Sequence, residues 1–222
     1  MPTVLITGAN RGLGLEFARQ YSENGWQVIA TVRDPDQPSD LDRLKDVRIE
    51  RLDMSDLDAV ERFGEWIVAL GLLVANAGTY GPRSVKTAEE ARDWSETLVV
   101  NTIAPYLLAQ AVLPAAERTK GKLIAITSKM GSIADNSSGG FLAYRTSKAA
   151  LNAAWRNLAL DVRGRGIVAA VLHPGWVQTR MGGSSAPLEP EESVRGMREV
   201  IQQLGPEHSG GFFGYDGGPI PW

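Results

Sequence analysis

The 222-residue chain has no cysteine and two histidines, His173 and His208. The first absence removes disulfides, thiolate metal sites and a catalytic thiol. The second leaves too few imidazoles for an ordinary zinc centre, so no metal is expected. Neither charge sign is in large excess: 23 Lys plus Arg stand against 26 Asp plus Glu, a net of −3. That balance argues against a broad nucleic-acid surface while allowing a local basic pocket. No basic region precedes the short apolar run Val4-Leu5-Ile6, so no secretory leader is expected. With no cysteine either, the expectation is a cytoplasmic protein. Thr97 to Ala116 is uncharged over about the length of a spanning helix. It contains Asn101, Pro105, Gln110 and Pro114, which fit lipid poorly, so it reads as a buried helix and no membrane partner is expected.

What is present is ordinary for a folded chain: 43% hydrophobic and 22% charged residues. The length favours a single domain over residues 1–222. Apolar runs alternate with helical patterns. Strands are expected at Val4–Ile6, Gln27–Val32, Val47–Leu52, Leu72–Ala75, Lys122–Thr127, Ile167–Leu172 and Gly211–Phe213. Helices are expected at Gly12–Asn24, around Ser39–Lys45, from a Ser55 cap to Ala69, from Thr87 to about Arg118, at Phe141–Arg163 and at Glu191–Leu204. Asp34–Pro38 reads as a turn, and Ser128–Gly140 and His173–Pro190 mostly as loops. Strands apolar on both faces and alternating with helices imply a parallel sheet covered on both sides. The expected fold is therefore α/β and Rossmann-type: a doubly wound parallel sheet of about seven strands in a three-layer α/β/α stack.

The first strand runs into Thr7-Gly8-Ala9-Asn10-Arg11-Gly12-Leu13-Gly14. Glycines at this spacing allow a tight strand-to-helix turn and close approach of backbone to a pyrophosphate. The helix-start amides then face the anion. Taken alone the trio is weak evidence, since a structural turn also explains it; after the first strand of an α/β chain it predicts dinucleotide binding. The second strand ends Thr31-Val32-Arg33, with Asp34 one step further. Arg33, joined by Arg11, offers a guanidinium suited to a 2′-phosphate. NADP(H) is thus preferred and NAD(H) remains an option, since Asp34 keeps the alternative of two solvated arginines open.

Tyr144-Arg145-Thr146-Ser147-Lys148 places Tyr144 and Lys148 four apart on one helix face. A tyrosine pKa near 10 is too high for a proton shuttle near pH 7, and closing that gap takes about 4 kcal/mol. One Lys⁺ at about 4 Å supplies roughly that at an effective dielectric near 20. Alone, the pair reads as an ordinary surface pair. Ser128, after the fifth strand, and Asn76-Ala77-Gly78, after the fourth, are expected at the carboxyl end of the sheet, where such folds bind ligands. Asn101 is a polar amide within an apolar helix, which calls for a partner or a helix irregularity.

These motifs together resemble the short-chain dehydrogenase/reductase superfamily over essentially the whole chain. Within it, Gly8–Glu16 and the tail Tyr215-Asp216-Gly217 look like the C-factor and sniffer-type carbonyl reductase branch. The resemblance implies a catalytic set of Asn101, Ser128, Tyr144 and Lys148. Tyr144 would donate the proton and Lys148 would lower its pKa and hold the nicotinamide ribose. Ser128 would bond the substrate oxygen, and Asn101 would hold a relay water. It also implies cofactor contacts from Gly8, Asn10, Arg11, Gly12, Leu13, Gly14 and Arg33. Asp53 and Met54 would lie at the adenine, and Asn76, Ala77 and Gly78 beside the adenosine ribose. Pro174, Gly175, Val177 and Thr179 would lie near the carboxamide. Two departures stand out: Ala75 precedes Asn76, and Ser128 lies 16 positions before Tyr144, somewhat longer than is usual. Asp53 as a helix cap and His173 as a packed structural residue are the plainer readings of those two positions.

The substrate pocket is expected from the loop after Asn76, from Met130–Leu142 and from a mobile segment at about 176–190. Trp176, Met181, Met130 and Phe141 suggest a small apolar or aromatic carbonyl compound, or the matching alcohol. A homodimer or homotetramer through Trp155, Leu158 and Tyr106–Leu113 is expected, with burial inside the monomer as the alternative. Pro221 and Trp222 would cover a partner's edge or close the chain's own. The leading functional reading is an NADP(H)-dependent carbonyl reductase; the rival is a cofactor-binding signalling or sensor protein with little turnover.

Overall fold

The strands form where β-branched and aliphatic residues run without interruption, and the computed structural model describes residues 1–37 and 39–222. Pro38, the end of the expected Asp34–Pro38 turn, lies outside the described residues. The strands are β1 (Thr3–Thr7), β2 (Gln27–Val32), β3 (Val47–Arg51), β4 (Leu72–Ala75), β5 (Lys122–Ile126), β6 (Val168–His173) and β7 (Phe212–Gly214). They make one sheet in the order β3-β2-β1-β4-β5-β6-β7, with every pairing parallel. The helices are α1 (Gly12–Glu23), α2 (Leu57–Arg62), α3 (Ala88–Leu98), α4 (Ala104–Thr119), α5 (Leu142–Asp161) and α6 (Pro190–Gln203). The doubly wound Rossmann-type architecture read from the sequence is the one the chain adopts. Winding reverses between β1 and β4, and such a reversal opens a crevice at the carboxyl ends of the strands.

Alternate strand residues point to opposite faces. Val4, Ile6, Val74 and Ile124 pack with Phe17 of α1 and Val194 and Met197 of α6. Leu5, Leu73 and Leu123 pack with Leu108 and Val112 of α4 and Leu151 and Trp155 of α5. Burying each such side chain contributes about 1.5–3 kcal/mol. Trp155 and Leu158 are 1% and 0% exposed, and Trp155 Nε1 donates to the Leu123 carbonyl at 2.9 Å. They belong to the chain's own core, which is the alternative to an interface that the sequence left open. Leu108, Ala109, Val112 and Leu113 are buried in the same way.

The helix expected around Ser39–Lys45 is only a 3₁₀ turn at Asp40–Arg43, capped by Ser39, and two further helices differ from expectation. The helix expected from Ser55 to Ala69 is only Leu57–Arg62, and its cap is Asp56, whose carboxylate accepts from Ala59 N at 3.0 Å. Beyond it the chain runs too close to α4 to remain helical: a Cβ on Gly64 would fall 2.2 Å from the Ala111 carbonyl oxygen. Leu70 N is bonded to Ala115 O at 3.1 Å. The second difference lies in Ala88–Thr119, which is long and apolar enough to cross a bilayer but has half of its most apolar window buried in the fold. It starts with the expected Thr87–Glu90 capping box. It is interrupted by a π-helical turn at Val99–Ile103, where Ala104 N donates to Val99 O. Asn101 sits in that turn.

Candidate active site

The loop leaving β1 turns at Gly8, whose φ of +65° is a left-handed conformation open to glycine. Gly14, one turn into α1, has no room for a side chain: a Cβ there would lie 2.3 Å from Gly8 O and 2.7 Å from Asn76 Nδ2. Asn76 ties the end of β4 to this loop, its Nδ2 donating to Thr7 O at 2.9 Å and Gly8 O at 3.3 Å. Thr7 Oγ1 in turn accepts from Asn76 N and Ala77 N, both at 3.0 Å. Thr7 was not singled out from the sequence; its place as the last residue of the first strand was the available signal. Arg11 stands at the N-cap of α1 without a side-chain cap bond, so the first-turn amides at Gly12, Leu13 and Gly14 are not capped by it.

Asn10, Arg11 and Arg33 are exposed at this corner. Among the described residues neither arginine makes an ion pair or a side-chain hydrogen bond. Asp34 does not pair with either arginine among the described residues. Its two oxygens accept from Asp36 N at 3.2 Å and Gln37 Nε2 at 3.0 Å, with Arg51 at 3.8 Å. Asp34 is thus engaged within its own turn and with Arg51. Asp53 is not the helix cap. Its Oδ1 accepts from Ser55 N at 2.9 Å and Ser55 Oγ at 2.8 Å. Those bonds, the backbone one first, hold its carboxyl below the usual range, and the charge of Arg33 adds to the effect. Met54 beside it is buried.

Across the crevice, Tyr144 and Lys148 project from the first turns of α5 and are 8% and 4% exposed. Lys148 Nζ donates to the Ile126 carbonyl at 2.8 Å and lies 5.8 Å from the Tyr144 ring centroid. The expected lowering of the Tyr144 pKa is not what this environment produces. Burial pushes the phenol up to about 12, with Tyr80 adding to the rise and the Ser128 hydroxyl opposing it. Burial also pushes the Lys148 ammonium down to about 8. Desolvation outweighs the lysine's attraction because the pair is sealed from water while Nζ is spent on a main-chain carbonyl.

Ser128 is 8% exposed and its Oγ also accepts from Met130 N at 3.1 Å. The long stretch to Tyr144 folds back onto α5 through Arg145, a residue the sequence reading passed over. Its Nε donates to Gly139 O and Gly140 O at 3.2 and 3.1 Å. Its terminal nitrogens reach Met130 O at 3.3 Å and Ser138 Oγ at 3.0 Å. The only sequence hint was its place between Tyr144 and Lys148. Asn101 is fully buried. Its Nδ2 donates to Thr79 O at 2.8 Å and Ser147 Oγ at 2.9 Å, while Oδ1 accepts from Thr79 N at 2.8 Å. Its side chain therefore braces the loop after β4, and the space above Gly78 separates Asn101 Oδ1 from Lys148 Nζ.

The segment after β6 closes the site. Pro174 O accepts from Ser193 Oγ at 2.6 Å, Gly175 turns with φ +84°, and Val177 is buried and bridged to Leu188. Thr179 faces the glycine loop: its Cγ2 lies 3.5 Å from where a Cβ of Gly12 would be. Trp176 and Met181 are 57% and 39% exposed at the rim. His173 ends β6 with a buried Nδ1 that has no hydrogen-bond partner among the described residues, in keeping with a packed structural residue. Trp222 lies against Phe212, and its carbonyl accepts from Ala134 N at 2.9 Å, so this residue covers the chain's own edge.

The uncapped amides of α1, the side-chain-free cradle at Gly8 and Gly14 and the free arginine corner match the parts of a dinucleotide laid across the switch point. The chain belongs to the short chain dehydrogenase family, whose model matches residues 2–189, and is an NAD(P)-dependent oxidoreductase acting on CH–OH and C=O groups. It lies near the sniffer and C-factor branch. It is 45% identical to C-signal of Myxococcus xanthus over 152 residues, covering 68% of this chain and 92% of that protein. The carbonyl reductase Sniffer of D. melanogaster superposes with a TM-score of 0.92 at 36% identity, over 100% of both chains. A carbonyl reductase from chicken fatty liver, crystallised with NADPH bound, superposes with a TM-score of 0.88 at 35% identity over 100% of this chain and 99% of that one.

Proposed function

We propose that the chain, as a single domain over residues 1–222, is an NADPH-dependent reductase of a small apolar or aromatic carbonyl compound. The observation that carries the reading is the convergence of Ser128, Tyr144 and Lys148 beside the glycine loop at the switch point. Bound NADPH supplies the hydride. Gly8, Asn10, Gly12, Leu13 and Gly14 would hold its pyrophosphate, and Arg11 and Arg33 its 2′-phosphate. Asp53 and Met54 would meet the adenine, and Asn76, Ala77 and Gly78 would flank the adenosine ribose. Pro174, Gly175, Val177 and Thr179 would seat the carboxamide. The 2′-phosphate contacts favour NADP(H); NAD(H) would bind more weakly at the same loop.

Tyr144 gives its proton to the carbonyl oxygen, and Ser128 donates a hydrogen bond to that oxygen as charge builds on it. A phenol held near 12 stays protonated at neutral pH, which suits an acid in the reducing direction. Lys148, still protonated below about 8, stabilises the resulting phenolate and would hold the nicotinamide ribose. Reprotonation would run through a water on the Asn101 main chain, because the Asn101 side-chain amide is committed to Thr79 and Ser147.

Likeness to C-signal gives the second reading, a signalling protein that holds the cofactor with little turnover. NADPH binding and NADPH consumption, measured against aldehydes, ketones and quinones, separate the two. Turnover of at least one carbonyl supports the reductase; binding without turnover across the panel supports the signalling protein. A homodimer or homotetramer would use the outer faces of α4 and α5, where Leu160 of α5 and Ile103, just before α4, are exposed. Sedimentation tests it.

A further inference from the structure

Tyr80 joins the proton donor to the segment that closes the site. Its ring stands edge-on to Tyr144 with centroids 4.8 Å apart and lies 5.9 Å from the ring of Phe141. Its hydroxyl donates to the Met181 carbonyl at 3.0 Å, a contact 101 residues away in the chain. The next carbonyl, Gly182 O, accepts from Trp176 Nε1 at 2.8 Å. Two aromatic side chains thus hold consecutive carbonyls of a turn that carries Gly182 and Gly183. The backbone that presents Tyr80 is pinned on both sides. Thr79 is bonded through both its N–H and its carbonyl to Asn101. Gly81 has φ +62° and lies so close to Thr97 that a Cβ would fall 2.1 Å from Thr97 Oγ1. A ring held this firmly beside the proton donor is a fixed wall.

We propose that Tyr80 is a specificity-determining residue: its ring selects flat aromatic carbonyl substrates beside Tyr144, and its hydroxyl latches the 176–183 segment over them. The inference rests on the carbonyl reductase reading for its substrate half and on geometry alone for the latch. Tyr80→Phe removes the latch and keeps the wall. Tyr80→Leu removes both.

The substrate half is read with benzaldehyde and cyclohexanecarbaldehyde, rings of similar size that differ in flatness. Wild type should favour benzaldehyde in kcat/KM. Tyr80→Leu should cut that preference by about fivefold to tenfold, the worth of one aromatic contact. Tyr80→Phe should keep the preference and raise KM for both aldehydes with kcat little changed. The latch is read without turnover, by trypsin cleavage after the exposed Arg180, located by mass spectrometry and scaled to cleavage elsewhere in the chain. Tyr80→Phe should speed that cut about fivefold, the worth of one neutral hydrogen bond.

Unchanged cleavage at Arg180 in Tyr80→Phe overturns the latch. An active wild type whose aldehyde preference survives in Tyr80→Leu overturns the wall and leaves the reductase reading standing. A wild type that reduces no carbonyl overturns that reading and the wall with it, while the cleavage result still decides the latch. Melting curves of both variants confirm that the fold is intact.

Discussion

The Nδ2 amide of Asn76 occupies the space where a side chain on Gly14 would begin, 2.7 Å from the position of its Cβ. The same amide, bonded to Thr7 O and Gly8 O, locks the glycine loop to the end of β4 across the point where the sheet reverses. Gly14→Ala should lower NADPH affinity by about tenfold or more and cost about 1–3 kcal/mol of stability, because the methyl would also fall 2.3 Å from the Gly8 carbonyl oxygen, which is backbone and cannot swing away. Fluorescence titration with NADPH and thermal unfolding check both effects.

Arg33 and Arg11 should carry cofactor choice. Removing one guanidinium from a phosphate costs about 1.5–3 kcal/mol as a charge-assisted hydrogen bond. Arg33→Ala should therefore weaken NADPH binding by about tenfold or more and leave NADH binding nearly unchanged. Dissociation constants for both cofactors decide it; an unaltered preference would take Arg33 out of the site.

Lys148 should be a stability liability. Its pKa falls from 10.5 to about 8 in the fold, so the native state binds a proton less readily than the unfolded chain. The penalty is fully present below about pH 8 and is relieved as pH rises towards 10.5. At neutral pH it amounts to at most about 3 kcal/mol. Lys148→Met should unfold at higher temperature than wild type at pH 7, lose that advantage above pH 10 and lack reductase activity. Melting temperatures across this alkaline range are the measurement.

His173 should set part of the acid limit. Burial first, then the charge of Lys129, lower its pKa from 6.5 to about 4, with Asp216 opposing. The unfolded chain takes up the proton first, so stability falls as pH drops from 6.5 towards 4. His173→Gln should flatten that dependence in denaturant titrations. An unchanged slope would remove His173 as its source.

The strand order and most element boundaries were legible because strands apolar on both faces and alternating with helices are a local signal with few alternatives. The glycine loop and the Tyr144–Lys148 spacing were legible for the same reason. What escaped depends on contacts distant in sequence. Gly64 ends α2 because of Ala111, a helix away. Trp155 is core rather than interface because Leu123 takes its indole N–H. Arg145 organises the loop after Ser128 through main-chain carbonyls, which no side-chain motif records. The protonation balance of Tyr144 also escaped: spacing predicted attraction by Lys148, whereas the depth of burial, a property of the whole fold, prevails.

The central claim is that Tyr144 passes a proton to a carbonyl as NADPH is consumed. The most direct measurement compares NADPH consumption by wild type and Tyr144→Phe across a panel of aldehydes, ketones and quinones, with NADPH affinity measured on both. Wild type should turn over at least one compound, and the variant should lose about 100-fold or more of that rate while binding NADPH as before. A variant that keeps the wild-type rate, or a wild type that binds NADPH and reduces nothing, would contradict the account.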